Sequence, residues 1–281
     1  MSQTENKQEI TSHLDIVNAL KEEFSTSVNR IYIHTLDREV GFREVRVAEQ
    51  KSLTKIMVEN EDKEDVIYDT TLAMIKTLCL EEIDFDVLTE FDRIKIMLEL
   101  YQGNFFRNDI DYKCRSCGAN NKFSIDFEGI INKMNKTKFN DVIVKTEDAD
   151  RTYEFIVNFP TIKRMANFMK DMVKSRRLSK RDGHIKLDKT DMFDLFIKSF
   201  TVENKAKDGK VINVNCEALT TNELEETLQV LPQVVLYSDE GVLGKINDEV
   251  FMKVDEMFQN PKCNNCGVEE KEVIGLTDFF I

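Results

Sequence analysis

The sequence predicts an α+β fold in which β-hairpins and helices are arranged around two cysteine pairs that lie far apart in the chain. The motif Cys-x-x-Cys-Gly occurs twice, at 114–118 and at 263–267. Between and before these motifs, stretches of alternating apolar and polar residues are interspersed with apolar residues at helical spacing. Two such motifs supply four thiolates, the donor set of a tetrahedral structural Zn²⁺ site. The predicted fold is therefore hairpins and helices around a split four-cysteine zinc ribbon.

The predicted ligands are Cys114, Cys117, Cys263 and Cys266, and the predicted cofactor is structural Zn²⁺. The glycine after each pair permits the left-handed turn that frees backbone N–H groups for the sulfurs. A single Cys-x-x-Cys is also typical of a redox pair, and a site that no longer holds metal is a second alternative. A catalytic zinc keeps an open position and usually recruits His or a carboxylate, and no His is near either motif. We therefore expect the ion to hold the middle of the chain to its C-terminal end.

The composition indicates a globular protein and limits its partners. The 281 residues are 41% hydrophobic, which allows one large or two modest domains. A net charge of −13 disfavours binding to nucleic acid phosphates and anionic membranes. The other two cysteines, Cys79 and Cys216, lie in apolar patterns and are expected to be buried and unreactive, as in a reducing cytosol. We expect no signal peptide and no membrane-spanning segment, because no run approaches about 18 apolar residues.

The chain divides into four predicted segments. Residues 1–29 form an N-terminal segment, and 30–118 comprise a hairpin and helices that end in the first cysteine motif. Residues 119–262 are a mixed, mostly helical α/β insertion between the two halves of the ribbon. Residues 263–281 contain the second motif and an apolar C-terminal tail.

Two kinds of periodicity place the secondary structure. Alternation predicts a first hairpin with strands at 30–35 and 42–47 and a turn at 37–41, followed by a ribbon strand at 122–127. It also predicts a second hairpin with strands at 139–145 and 152–159, and a later strand at 211–216. Helical spacing predicts a short helix at 14–24, two helices between 48 and 79, and a third from 89 to 103 that runs into the first cysteine motif. Further helices are predicted after Pro160, from the capping box at Thr220 to Pro232, and over 246–258. The apolar cluster at 192–200 is predicted to be core.

Two stretches are candidate partner-binding surfaces. The most basic part of the chain, at 170–186, contains Arg176 and Arg177 without the interleaved aromatic residues that stack on bases. A solvated helix end or an acidic protein partner suits it better than nucleic acid. The chain ends in Phe279, Phe280 and Ile281, where most chains are polar. These side chains either pack on the protein's own ribbon or dock into a partner.

With its parts in order, the chain resembles the T-even-type phage family of baseplate hub and hub-assembly proteins. The similarity extends over most of the chain from about residue 30. It is carried by short segments, which are 42–47, 88–94, 114–118 with 123–127, 153–160, and 263–267 running to 278–280. The resemblance implies a role in building the central hub of a contractile tail's baseplate, with no established enzymatic site. Family members vary in whether they keep the cysteine pairs, so the resemblance does not itself imply zinc.

The expected function is therefore that of a non-enzymatic morphogenesis protein. The resemblance implies that its partners are other baseplate hub proteins, with the tape-measure protein as a candidate. It implies a location in the host cytoplasm during assembly and, if the protein is retained, in the virion's tail baseplate. The sequence contains no Gly-rich phosphate loop, no Cys–His nucleophile pattern and no paired metal-binding histidines. The alternatives are a zinc-ribbon nucleic-acid-binding or transcription-related protein, and a hydrolase with zinc at an open cysteine site.

Overall fold

A computed structural model describes residues 28–60, 63–101, 109–179, 193–205, 209–238, 240–257 and 260–269. Over these ranges the protein is a mixture of helices and antiparallel sheets, which confirms the mixed class that the sequence predicts. Among the described residues, no helix is both long and apolar enough to cross a membrane. The predicted helix at 14–24 and the tail residues Phe279, Phe280 and Ile281 lie outside these ranges.

The first hairpin joins β1 (Val28–Ile33) to β2 (Arg38–Arg43) in antiparallel register. Its second strand begins four residues before the predicted position of 42. Asp37 takes a left-handed conformation with φ of 50° and closes the turn early. Val40 and Phe42 are then both fully buried on one face of β2, where the predicted turn would have exposed Val40. Burial of these two side chains therefore decides where β2 begins and how it pairs with β1.

Three helices follow the hairpin: α1 (Val47–Glu59), α2 (Glu64–Leu78) and α3 (Glu90–Tyr101). The third helix is buried on every side, because all residues from 90 to 98 are shielded from solvent. That stretch includes four charged side chains, Glu90, Asp92, Arg93 and Lys95, each at most 1% exposed. A helix buried all round lies inside a core rather than on its surface.

The buried charges of α3 are partnered by one another and by groups of neighbouring elements. The Arg93 Nε donates to Glu90 Oε2 at 2.6 Å, and the Tyr68 hydroxyl of α2 donates to the same carboxylate. Asp92 accepts from the backbone N–H of His34 at 2.8 Å. Lys95 donates to the carbonyl of Tyr32. The first hairpin and α2 are thus both held to α3 by hydrogen bonds to charged groups.

The middle of the chain contains two further sheets. A two-stranded sheet pairs β3 (Asp109–Lys113) with β4 (Asn120–Ser124), and α4 (Phe127–Lys136) follows it. A four-stranded antiparallel sheet has the order β5-β6-β7-β8, with the bounds β5 (Val142–Glu147), β6 (Arg151–Val157), β7 (Ile197–Asn204) and β8 (Val211–Asn215). The helix α5 (Ile162–Ser179) runs between β6 and β7.

The last described helices are α6 (Thr221–Gln229), α7 (Gln233–Tyr237), α8 (Val242–Ile246) and α9 (Met252–Asp255). A π-helical turn, Asn247–Phe251, joins α8 to α9. The predicted capping box is confirmed, since Thr220 accepts from the N–H of Glu223 and the Glu223 carboxylate accepts from the N–H of Thr220. The predicted hairpin of β5 and β6 is also present.

Besides the first hairpin, other elements differ from the prediction. The helix α3 does not run directly into the first cysteine motif, because β3 lies between them. The predicted ribbon strand 122–127 ends early, because β4 stops at Ser124 and Phe127 begins α4. The helix α4 was not predicted, although its buried residues have helical spacing: Phe127, Ile130, Ile131 and Met134. The stretch 192–200 was predicted only to be core, and its second half is the start of β7.

Apolar side chains from Ile31 to Met257 form one buried cluster. The cluster joins the predicted segments 30–118 and 119–262, because the ring of Phe91 lies 4.7 Å from that of Phe139 and 5.4 Å from that of Phe159. The division of the chain into four segments stays a prediction.

The buried charge pair of α3 gives a first test. We expect Arg93→Ala to lower the free energy of unfolding by about 3–5 kcal/mol, because it leaves the Glu90 carboxylate buried without its cation. The double variant Glu90→Gln with Arg93→Met should cost less than Arg93→Ala alone. Lys145→Ala, in the exposed pair Lys145–Glu154, is the control and should cost less than about 1 kcal/mol. Urea unfolding measures the free energy of unfolding of all three variants. Equal losses for Arg93→Ala and Lys145→Ala would contradict the assignment of Arg93 and Glu90 as a buried, stabilising ion pair.

Candidate metal centre

The two cysteine motifs fold into nearly identical turns. In the first, the N–H of Cys114 donates to the carbonyl of Ala119 at 2.9 Å. In the second, the N–H of Cys263 donates to the carbonyl of Val268, also at 2.9 Å. An antiparallel residue pair flanks each turn, Lys113 with Asn120 in the first and Lys262 with Glu269 in the second. The same local sequence therefore gives the same hairpin tip twice.

The glycine of each motif is required by the backbone conformation. Gly118 has φ of 71° and Gly267 has φ of 72°, in the left-handed region that favours glycine. The N–H of each donates to the carbonyl of its motif's first cysteine, at 2.8 and 2.9 Å. A Cβ at Gly118 would meet only the Lys113 Cε at 3.8 Å, so space is not the constraint.

These turns bring all four predicted ligands together. The Sγ atoms of the four cysteines all lie within 4.8 Å of one another. Across the two turns, Cys114 Sγ lies 3.7 Å from Cys266 Sγ, and Cys117 Sγ lies 3.6 Å from Cys263 Sγ. A tetrahedral ion with metal–sulfur bonds of about 2.3 Å requires sulfurs about 3.8 Å apart. The cluster is therefore close enough together to bind one metal ion, and four sulfur donors would complete a tetrahedral coordination sphere.

The cluster is half-buried. Cys114 and Cys263, the first cysteines of the two motifs, are 1% and 2% exposed, whereas Cys117 and Cys266 are exposed. Each motif thus contributes one thiol from the interior and one from the surface. This exposure gives an ion access from solvent.

A buried asparagine links the two turns directly. The Asn121 side-chain amide, on a residue that is 7% exposed, donates to the Ala119 carbonyl at 2.9 Å and to Cys263 Sγ at 3.4 Å. Its Oδ1 accepts from the N–H of Asn264 at 2.9 Å. One side chain of the first motif's hairpin therefore contacts both a predicted ligand, Cys263, and the backbone of the second motif. The role of Asn121 was not predictable from the sequence, because the residues that it contacts in the second motif are more than 140 positions away.

The helix α4 contacts the segment that precedes the second motif. It follows the β3–β4 hairpin, and its Lys133 donates to the carbonyl of Glu256 at 3.1 Å. Glu256 is just beyond α9, in the segment that leads to Cys263. The hydrogen bond of Lys133 thus joins the helix that follows the first motif's hairpin to the segment that precedes the second motif.

Hydrogen bonds at the turns favour the thiolate form of two ligands. The N–H groups of Cys266 and Asn265 point at the Cys263 sulfur and lower the pKa of that thiol to about 6. The side chain of Asn265 and the N–H of Ala119 lower the pKa of Cys117. Because the thiolate is the form that binds metals, these donors favour the metal-binding form of Cys117 and Cys263.

The two remaining cysteines are away from this cluster. Cys216 is fully buried, and burial raises the pKa of its thiol to about 11, as expected for an unreactive residue. Cys79 is half-buried, and burial raises its pKa also. Of the predicted partner-binding residues, Arg176 and Arg177 belong to α5, but their side chains lie outside the described part of the structure, as do Phe279, Phe280 and Ile281.

Comparison with known proteins adds one match. A family described as T4 bacteriophage base plate protein matches residues 26–281, a span that contains both cysteine motifs. No curated protein and no solved structure matches the chain.

Removing a ligand should remove the metal. We expect Cys114→Ser and Cys266→Ser to bind less than half of the metal that the unaltered protein binds, and to unfold at lower denaturant concentration, because metal binding contributes to the free energy of folding. Cys79→Ser, outside the cluster, is the matched control and should keep its metal. Elemental analysis of protein purified without chelator gives the stoichiometry. Absence of metal from the unaltered protein would contradict the assignment.

The turn conformation gives a second test. We expect Gly118→Val to cost about 1–2 kcal/mol of stability in the metal-loaded protein, because a side chain with a branched Cβ is strained at positive φ. Gly118→Asn should cost less, since Asn tolerates the left-handed region. Urea unfolding of the two variants measures the difference. Equal costs would show that the left-handed conformation is not what the position requires.

Proposed function

The chain belongs to the T4 bacteriophage base plate protein family, and we propose that it acts as a hub-assembly or minor hub protein that binds other proteins during tail morphogenesis. The observation that carries the proposal is the family match over residues 26–281. Membership supports a structural role in the baseplate, with other phage baseplate proteins as partners and the virion tail as location. Assignment to the hub, to an assembly step and to the host cytoplasm before the tail is complete rests on the sequence resemblance described above.

We further propose that the ion is Zn²⁺ and that its role is structural. Support comes from the four-sulfur donor set and from cross-motif sulfur distances of 3.6 and 3.7 Å. A site closed by four thiolates has no open position for a substrate or a water molecule. When bound, the ion would supply a rigid cross-link between the two hairpin tips. The absence of catalytic motifs from the sequence also favours a non-enzymatic protein.

The proposed partner surfaces are the tail residues Phe279, Phe280 and Ile281 and the basic pair Arg176 and Arg177. Burial of a Phe side chain contributes roughly 1.5–3 kcal/mol, so two of them are enough to anchor a peptide in a groove. The basic pair would suit an acidic protein surface. Hub proteins, with the tape-measure protein as one candidate, are the proposed partners.

Purification from infected cells tests the function directly. A tagged chain is captured once while tails are being assembled and once from finished virions, and the copurifying proteins are identified by mass spectrometry. We expect baseplate hub proteins in the first sample, and an abundant capsid protein serves as the control for nonspecific capture. Retention in the second sample distinguishes a minor hub component from an assembly factor. Capture of no tail protein at either stage would contradict the proposal.

A salt titration separates this proposal from the zinc-ribbon nucleic-acid-binding alternative. A nucleic-acid-binding protein would bind duplex or single-stranded DNA with an affinity that falls steeply as salt rises. The net charge of −13 leads us to expect no such binding.

Deletion of 278–281 tests the tail as a partner-binding segment. We expect the thermal midpoint to stay nearly unchanged, whereas capture of hub proteins and infectious tail assembly are lost. Thr277→Ala, next to the deleted residues, is the control and should retain both activities. A truncated protein that melts much lower would show instead that the aromatic residues complete the protein's own core.

A further inference from the structure

The two edges of the four-stranded sheet differ in charge. The β5 edge is charged, because Lys145 pairs with Glu154 at 2.7 Å and Lys205 pairs with Glu147 at 2.5 Å. The opposite edge, β8, has the sequence Val-Ile-Asn-Val-Asn and contains no charge. Sheet edges that must not associate are usually protected by charged residues, and an uncharged edge is a template for another strand. The β8 edge is therefore the one suited to pairing.

The register identifies which backbone groups of β8 face away from the sheet. The N–H of Asn204 donates to the carbonyl of Lys210 at 3.1 Å, so these opposite residues are a hydrogen-bonded pair. Hydrogen-bonded and non-hydrogen-bonded pairs alternate along an antiparallel ladder. The backbone groups of Ile212 and Val214 are therefore the ones that bond to β7. The backbone groups of the residues between and beside them point outward: Val211, Asn213 and Asn215. Among the described elements, β8 packs chiefly on β7.

We propose that β8 pairs with β8 of a second copy of this chain, antiparallel about a twofold axis at Asn213, so that two sheets become one eight-stranded sheet. In this arrangement Asn213 is opposite Asn213 of the second copy, and Val211 is opposite Asn215. The outward backbone groups then form hydrogen-bonded pairs along the full strand. Because both copies contribute the same residues to the contact, the β8 edge of each copy is used once and the assembly is a closed dimer.

The side chains of β8 complement each other in this register. Ile212 is 49% exposed, although it lies on the core face of the sheet beside the half-buried Val214. Across the axis, Ile212 of each copy is opposite Val214 of the other, at a non-hydrogen-bonded position where side chains are closest. Pairs of β-branched residues across strands stabilise a sheet. Dimerisation would therefore cover an apolar side chain that the monomer leaves exposed.

The charges at the ends of β8 favour a second copy as the occupant. Lys210 and Glu217 flank the strand, and both are exposed. The twofold places Lys210 of one copy opposite Cys216 of the other, one residue from Glu217. Two symmetric lysine–glutamate contacts then offset part of the repulsion between two chains of net charge −13.

Sedimentation velocity over a range of concentrations tests the proposal, with one variant on each sheet edge. We expect the unaltered protein to be a dimer that dissociates on dilution, and Ile212→Lys to weaken the dimer about tenfold or more. The matched control is Ile143→Lys on β5, at a side chain that is 57% exposed, and it should dimerise like the unaltered protein. A protein that is monomeric at its highest soluble concentration, or a dimer equally affected by both substitutions, would overturn the proposal.

Hydrogen exchange of the unaltered protein gives an independent result if Ile212→Lys fails to fold. The amides of Val211, Asn213 and Asn215 should exchange more slowly in a concentrated sample than in a dilute one. The amides of β5 should exchange at the same rate in both. A dimer in which 211–215 gain no protection would show that another surface mediates association and would overturn the assignment to β8.

Discussion

Four sulfur atoms within 4.8 Å of one another join two hairpin tips of this protein that are far apart in the chain. Cys117 and Cys263, the closer pair across the tips, are separated by 146 positions. Closing a flexible loop of that length costs on the order of 4 kcal/mol of chain entropy. Binding of a structural zinc ion by small zinc fingers contributes about 10 kcal/mol or more, so an ion in this site would exceed the closure cost. The hydrogen bonds of Asn121 hold the same two tips together through the protein alone.

The helix α3 provides the second constraint, inside the core. Its N-terminus is joined to the start of α5, because the N–H of Glu90 donates to the Pro160 carbonyl at 2.9 Å and the N–H of Ile162 donates to the Leu88 carbonyl at 2.8 Å. The buried charges of the same helix hold the first hairpin and α2. Unpaired charges in such an environment are costly, so each of these contacts fixes the orientation of one neighbouring element. The core around α3 is therefore stabilised by polar contacts as well as by apolar packing.

The sequence predicted the features whose cause is local and missed those whose cause is distant. The two cysteine turns depend on residues within one motif, and the capping box at Thr220 depends on Glu223 alone, so both were predictable. The hairpin turn was misplaced because the burial of Val40 depends on the core around it. The strand β7 was missed because a continuous apolar run does not distinguish a buried strand from a helix. Asn121 has no sequence signature, since its role exists only once the second tip is in place. For α4 the signal is present in the spacing of its apolar residues, but the alternation over 122–127 assigned Phe127 to a strand.

We propose that these four cysteines bind a single zinc ion as its only ligands. X-ray absorption at the zinc edge tests it most directly, because the technique reports the identity and distance of the atoms around the ion. We expect four sulfur atoms at about 2.3 Å from the ion and no nitrogen or oxygen bound to it. Nitrogen or oxygen in the first shell, or no bound zinc in protein prepared without chelator, would contradict it.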